Sequence, residues 1–310
     1  MKPNNISNKK VLISPLNWGM GHVARCIPLI DKLLKQENEV FIACNQIQKN
    51  IFHFYFHNQN ILYIEHAGYP FEFKGKGRFM LDILFSYNRL RIRRSKELEE
   101  VDNMVDLHKI DLIISDHRYG FFSNKCTTIF MTHQLNLPVK PLFQFVQRIH
   151  ERELRKFDLI WVLDNEKSTF AGNLSLNLGQ FNVHYIGLLS RFSMYSSIGK
   201  TYPIVVVVSG PEPYAKQFFL EQLQKAKERS VETIIIAPKM YVSVNLQPKI
   251  KILLMENWIE KDEVIRRAKK IISRSGYSTI MDVMELNAEF EFVPTVGQSE
   301  QIYLSKLYQS

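Results

Sequence analysis

The sequence predicts an α/β protein built from two doubly wound, parallel, Rossmann-like halves. Three observations predict it. Short β-branched apolar runs alternate with longer helical stretches, the pattern of a parallel sheet with crossover helices. A polar, Ser/Gly-containing passage at 190–200 breaks the alternation, which then restarts. Glycine turns follow the first strand of one half and a late strand of the other. With 310 residues, 45% of them hydrophobic, the chain is large enough to bury two cores.

In the first half, strands are expected at 11–14, 40–44, 61–64, 112–115, 128–131 and 159–163, because each is a short apolar run bounded by polar or turn residues. Helices are expected at 22–36, 46–57, 79–108 and 143–155, where apolar residues recur at helical spacing. The passage 190–200 reads as an interdomain linker, giving domains at 1–190 and 201–310. Beyond it come strands at 204–208, 233–237, 251–255, 270–273 and 290–293, with helices at 215–229, 261–269 and 279–286 and a last one from Glu300. The two halves are expected to face each other across a cleft.

Composition excludes several classes. No apolar run approaches the ~20 residues of a spanning helix, and the polar start of the chain lacks the apolar core of a signal peptide. Cys26, Cys44 and Cys126 show no C-x-x-C spacing, so neither a zinc site nor a disulfide framework is expected, and a cytoplasmic setting follows. A net charge of +9 calls for an anionic partner, yet no nucleic-acid module is present. The aromatic and apolar stretch from Phe79 runs into Arg89, Arg91, Arg93 and Arg94, with Lys96 beyond. Such a segment suits peripheral attachment to an anionic membrane surface, on its inner face, or else a long core helix with a solvated end.

Two motifs carry chemistry. Ile271-Ile272-Ser273-Arg274-Ser275-Gly276 leads a strand through a small-residue turn into a helix, and small residues before a helix start form an anion site. Pro294-Thr295-Val296-Gly297-Gln298-Ser299-Glu300-Gln301 ends a second strand with side chains suited to sugar hydroxyls. A phosphate beside a polyol describes a nucleotide sugar. In the first half, Gly19-x-Gly21-x-x-Ala24 matches the dinucleotide fingerprint, but the second strand ends at Cys44-Asn45 without the acid that would hold a ribose. The turn remains a close-approach site with His22 at a helix start, where an imidazole can act as general base or simply cap the helix. Asp116, His117 and His133, at the ends of later strands, are alternative bases.

With Gly19-x-Gly21-His22 at one end and Ser273-Arg274-Ser275-Gly276 and Gln301 at the other, the chain resembles the GT-B glycosyltransferases of family 28, the type that includes the lipid II-forming N-acetylglucosaminyltransferase. Ser209-Gly210-Pro211-Glu212-Pro213 adds to the resemblance to uncharacterised bacterial members. The resemblance implies that the first half binds the acceptor, with Gly19, Gly21 and His117 beside it, and that the second binds a UDP-sugar donor. Ser209, Gly210, Ser275 and Gly276 would then face the donor. Asp282 would stand in place of the ribose-binding acid, Ile259 would lie against the uracil, and Glu300 and Gln301 would hold sugar hydroxyls.

The implied function is inverting transfer of a hexose from a UDP-sugar to a hydroxyl of a lipid-linked or soluble glycan. No cofactor is expected, and the absence of a D-x-D motif favours a metal-independent reaction. Two departures from the family pattern stand out. The sequence stops at Ser310, soon after Gln301, which suggests a shortened second domain. Glu289 and Glu291 put acids into an expected buried strand, so that strand is either an edge or part of a degraded domain. These departures keep a non-catalytic nucleotide-sugar-binding protein as the alternative, with a UDP-sugar epimerase or a dinucleotide-dependent enzyme behind it.

Overall fold

The computed structural model describes residues 1–70, 79–139, 143–242, 247–254 and 256–309, with the backbone alone for 79–84 and 87. One unit comprises residues 1–70 and 81–190. Its strands are β1 (Lys10–Pro15), β2 (Glu39–Cys44), β3 (Ile61–Glu65), β4 (Leu112–Asp116), β5 (Thr127–Thr132), β6 (Leu159–Val162) and β7 (Val183–Tyr185). Its helices are α1 (Met20–Lys35), α2 (Gln46–Phe56), α3 (Phe79–His108) and α4 (Gln144–Leu154). The order is β3-β2-β1-β4-β5-β6-β7, and every pair is parallel.

The central strands are buried on both faces, which is why consecutive residues in each, 11–13 and 112–114, are apolar. The winding reverses between β1 and β4, and their register sets Pro15 opposite Asp116, so both strand ends open at one switch point. Asn45, at the end of β2, caps α2 by accepting from Gln48 N at 3.0 Å while the Gln48 side chain returns the bond at 3.2 Å. The position that lacked a ribose acid is thus a helix cap.

The other unit includes residues 191–309. It holds β8 (Tyr202–Val207), β9 (Thr233–Ala237), β10 (Ile250–Leu254), β11 (Ala268–Ser273) and β12 (Glu289–Phe292), with helices α5 (Tyr214–Glu228), α6 (Trp258–Arg266), α7 (Tyr277–Leu286) and α8 (Ser299–Leu307). The order is β10-β9-β8-β11-β12, again all parallel. Val206, Phe218, Phe219, Leu223, Ile235 and Ile272 form its core. The winding reverses between β8 and β11.

β12 is an edge strand, and this settles the acids within it. Glu289 is exposed, and Glu291 meets Lys270 at 3.0 Å and Lys225 at 3.8 Å. Four other expectations change. β7 was not anticipated, since three residues carry too little period to read. α6 begins at Trp258 rather than Lys261, because the Asn257 side chain accepts from Ile259 N at 2.9 Å and caps it there. The passage 190–200 is not a bare linker: Arg191 is buried and pairs with Asp262 at 2.7 Å and with Asp282. The basic end of the 79–94 stretch is only partly a surface, since Arg93 pairs with Glu100 at 2.7 Å and Arg94 with buried Glu153. The expected strand residue Met255, and the side chains at the start of α3, lie outside the described residues.

Candidate functional site

At the switch point of the first unit, α1 starts directly after the turn that follows β1. No side chain caps it, and its N-cap is Gly19. Gly19 has extended backbone, and a Cβ added there would meet nothing within 4 Å. Neither conformation nor packing asks for glycine, so the open space is what a closely approaching ligand would use. Gly21 and His22 follow in the first turn of α1.

The His22 ring is held from behind. Its Nδ1 lies 2.9 Å from Asp116 Oδ2, at the end of β4. Asp116 is fully buried, and its Oδ1 accepts from Arg25 Nε at 2.9 Å and from the same guanidinium's terminal amino group. Burial opposes the Asp116 charge, but Arg25 and His22 outweigh it and hold the carboxyl well below the usual range. Burial, with Arg25 behind it, pushes the His22 imidazole below its ordinary value although Asp116 pulls the other way. The ring is therefore neutral at neutral pH. Its side chain is 20% exposed, so the far edge is open.

Asp116, one of the expected alternative bases, is enclosed, with Oδ1 turned to Arg25 and Oδ2 to His22. His117 sits beside His22, with ring centroids 6.1 Å apart, and its Nδ1 pairs with Thr132 Oγ1 at 3.1 Å. Burial, with His22 and Arg25 nearby, pushes its imidazole far down. His133, after β5, is buried with its Nε2 3.3 Å from Gln134 Nε2. The ends of β1, β4 and β5 thus gather His22, Asp116, His117 and His133, with His22 the member that has an exposed edge and a fixed carboxylate behind it.

At the switch point of the second unit, Ser209 and Gly210 follow β8, and Ser275 and Gly276 follow β11. Gly210 has φ +105°, which glycine alone adopts easily. Gly276 is different: φ is −73°, a Cβ would meet nothing within 4 Å, and no side chain caps α7 behind it. The Ser275 hydroxyl is buried and donates to Gln301 O at 2.8 Å, so it ties α8 to this turn. Gln301 Oε1 accepts from Thr295 N at 2.8 Å. That bond orients the amide and leaves Nε2 without a partner among the described residues. Glu300 lies in the first turn of α8 and is half-buried.

Two expected donor contacts meet competitors. Asp282 is paired with Arg191, and the Ile259 N–H is taken by the Asn257 cap. Two residues that sequence reasoning left without a role have one here. Arg25 clamps Asp116, and Arg274 donates to Pro294 O at 3.0 Å and Tyr214 O at 3.1 Å, holding together the segments after β8, β11 and β12. The signal for Arg25 was a charged residue inside an apolar context, and for Arg274 a charged residue in a small-residue turn directly after an apolar strand. Among the described residues no group of three or more His, Cys, Asp and Glu side chains is placed to hold a metal ion, and no helix is long and apolar enough to cross a membrane.

No family profile and no curated protein matches the chain by sequence. Solved structures do match by fold. The spinosyn rhamnosyltransferase SpnG complexed with thymidine diphosphate superposes with a TM-score of 0.63 at 15% identity, over 97% of this chain and 84% of that one. Arabidopsis thaliana UGT89C1 complexed with UDP-L-rhamnose gives 0.63 at 12% identity, over 97% and 82%. The S. aureus MnaA–UDP structure gives 0.62 at 11% identity, over 97% and 88%. Likeness at this identity speaks for architecture, and the chain has the GT-B fold of two Rossmann-like parallel units.

Proposed function

We propose that this protein transfers a sugar from a UDP-sugar to a hydroxyl acceptor, with inversion and without a metal ion. One observation supports this above the others: Gly276 stands before the uncapped start of α7, at the switch point of a parallel sheet, with open space where a side chain would be. A diphosphate fits that chemistry, because helix dipole and backbone donors favour the charge that builds on the leaving group. Gln301 Nε2 would donate to a sugar hydroxyl. Solved neighbours of this fold hold UDP, thymidine diphosphate or UDP-L-rhamnose.

In the first unit, His22 would act as general base through Nε2. It takes the proton of the acceptor hydroxyl as that oxygen attacks the anomeric carbon, and the C–O bond to the diphosphate breaks. Asp116 steadies the imidazolium that forms. The acceptor is proposed to be a glycan, lipid-linked or soluble. Exposed Phe85, Ile92, Arg89 and Arg91 on α3 support a peripheral contact with an anionic membrane that would present a lipid-linked one.

Gly276→Val tests the donor site. The backbone there tolerates a side chain and an added Cβ would meet nothing within 4 Å, so thermal stability falls only by the ~1 kcal/mol that replacing an N-cap glycine costs, while calorimetric affinity for UDP falls at least about tenfold, or about 1.4 kcal/mol. UDP binding equal to the parent's sinks the donor site. In the same assay His22→Ala retains UDP affinity and lowers turnover by about 10²-fold. Binding without any sugar transfer or hydrolysis in the parent chain favours a non-catalytic binding protein.

A further inference from the structure

We propose that Arg25 is a positioning residue that fixes His22 as an Nδ1–H imidazole, leaving Nε2 open as the proton acceptor. The proposal rests on His22 being the base. Arg25 lies three residues beyond His22 on α1, so the two share a helix face. Its guanidinium donates twice to Asp116 Oδ1, through Nε at 2.9 Å and through a terminal amino group. That leaves Oδ2 to meet His22 Nδ1 at 2.9 Å. An ionised carboxylate only accepts, so the proton of this contact belongs to Nδ1. The Arg25 amino group also lies 2.9 Å from Nδ1, a donor beside a donor in this tautomer; the reverse tautomer would accept from it but would set a bare ring nitrogen against a bare carboxylate oxygen, the costlier contact because that oxygen is charged.

Arg25 also changes what the histidine–carboxylate pair can do. A carboxylate alone behind a histidine draws a second proton onto the ring. Here the carboxylate charge is already matched by a guanidinium that is itself buried, so the resting ring stays neutral and ready to accept. The groups that face His22 are Arg25 on α1, Asp116 and His117 at the end of β4, and His133 at the end of β5. Cys26, also on α1, approaches Asp116 Oδ2 at 3.8 Å. Among these groups, only Arg25 brings a permanent positive charge within hydrogen-bond distance of the ring.

Nuclear magnetic resonance of isotope-labelled histidine in the full chain reads both tautomer and titration. The parent should show His22 protonated at Nδ1 and neutral below the ordinary imidazole midpoint of ~6.5. Arg25→Gln, which can still donate to Asp116 but carries no charge, should raise the His22 midpoint by about 1 pH unit or more, and Arg25→Lys should bring it back down. A parent ring protonated at Nε2 overturns the proposal, and so does an Arg25→Gln variant that titrates like the parent. Should that variant not fold, the parent's tautomer alone decides. None of these readouts needs nucleotide, so if His22 behaves as described while UDP does not bind, the positioning stands and the transferase reading falls.

Discussion

Burial holds His150 neutral, and this ties stability to pH at a single side chain. The ring is buried, with Nδ1 2.8 Å from the Tyr119 hydroxyl and Nε2 3.0 Å from Gln134 O. Both nitrogens are satisfied when Nε2 carries the proton and Nδ1 accepts from Tyr119; a second proton would reverse the latter bond, with the Tyr119 oxygen accepting, and would place a charge in a buried site. Burial pushes the imidazole down to about 4, against a smaller opposing pull from the Gln134 carbonyl. The unfolded chain takes up this proton near ~6.5, so stability is fully present above that value and drains away as pH falls towards 4, by roughly 3 kcal/mol. Urea unfolding of the parent and of His150→Gln at neutral and acid pH should show the smaller acid loss in the variant. Equal losses would assign the effect to other groups. At this scale the sequence shows residues whose context is local: Gly19, His22 and Gly276 stand in turns at strand ends. Arg25 is hidden because its partner lies 91 residues along the chain, and an arginine among Val23, Ala24, Cys26 and Ile27 says only that something unseen must receive its charge.

Most elements were legible because parallel strands buried on both faces carry continuous apolar runs, as β4 does at 112–114 and β9 at 234–237. Helix starts were harder, since a cap decides them through one bond: Asn257 moves the start of α6 to Trp258. The end of α7 shows the same dependence at the other terminus. Asn287 has φ 45° and ψ 48°, the left-handed region usually filled by glycine after a helix. Asparagine is among the few other residues that enter it at modest cost. Asn287→Gly should therefore keep stability within about 0.5 kcal/mol of the parent, while Asn287→Ala should lower it by about 1 kcal/mol. Chemical unfolding of the two variants side by side checks this, and an alanine variant as stable as the glycine one would show that the left-handed turn costs nothing here.

For the molecule as a whole, the alternation of strands and helices was enough to reach two parallel Rossmann-like units, and the resemblance carried by the glycine turns added the GT-B fold, but neither showed what ties the chain into its second unit. A polar passage with serines and a glycine looks like a tether because its side chains offer no period to read. One residue in it behaves otherwise. Arg191 is buried, donates to Asp262 at 2.7 Å from α6 and pairs with Asp282 on α7, and its guanidinium lies 4.3 Å from the Phe192 ring centroid. Removing a charge that faces two carboxylates, one of them fully buried, costs far more than losing a surface ion pair, and roughly 3 kcal/mol is the expected scale. Arg191→Met should lower the stability of the second unit by about that much and reduce hydrogen-exchange protection in α6 and α7, while β1 and β4 keep theirs. Because Gly276 heads α7, UDP affinity should fall with the lost protection even though no atom of the proposed cradle has changed. Arg191→Lys, which keeps one charge, should recover part of both. If Arg191→Met leaves α6 and α7 as protected as before, the passage is a tether after all and the ion pairs contribute nothing to holding α7 in place.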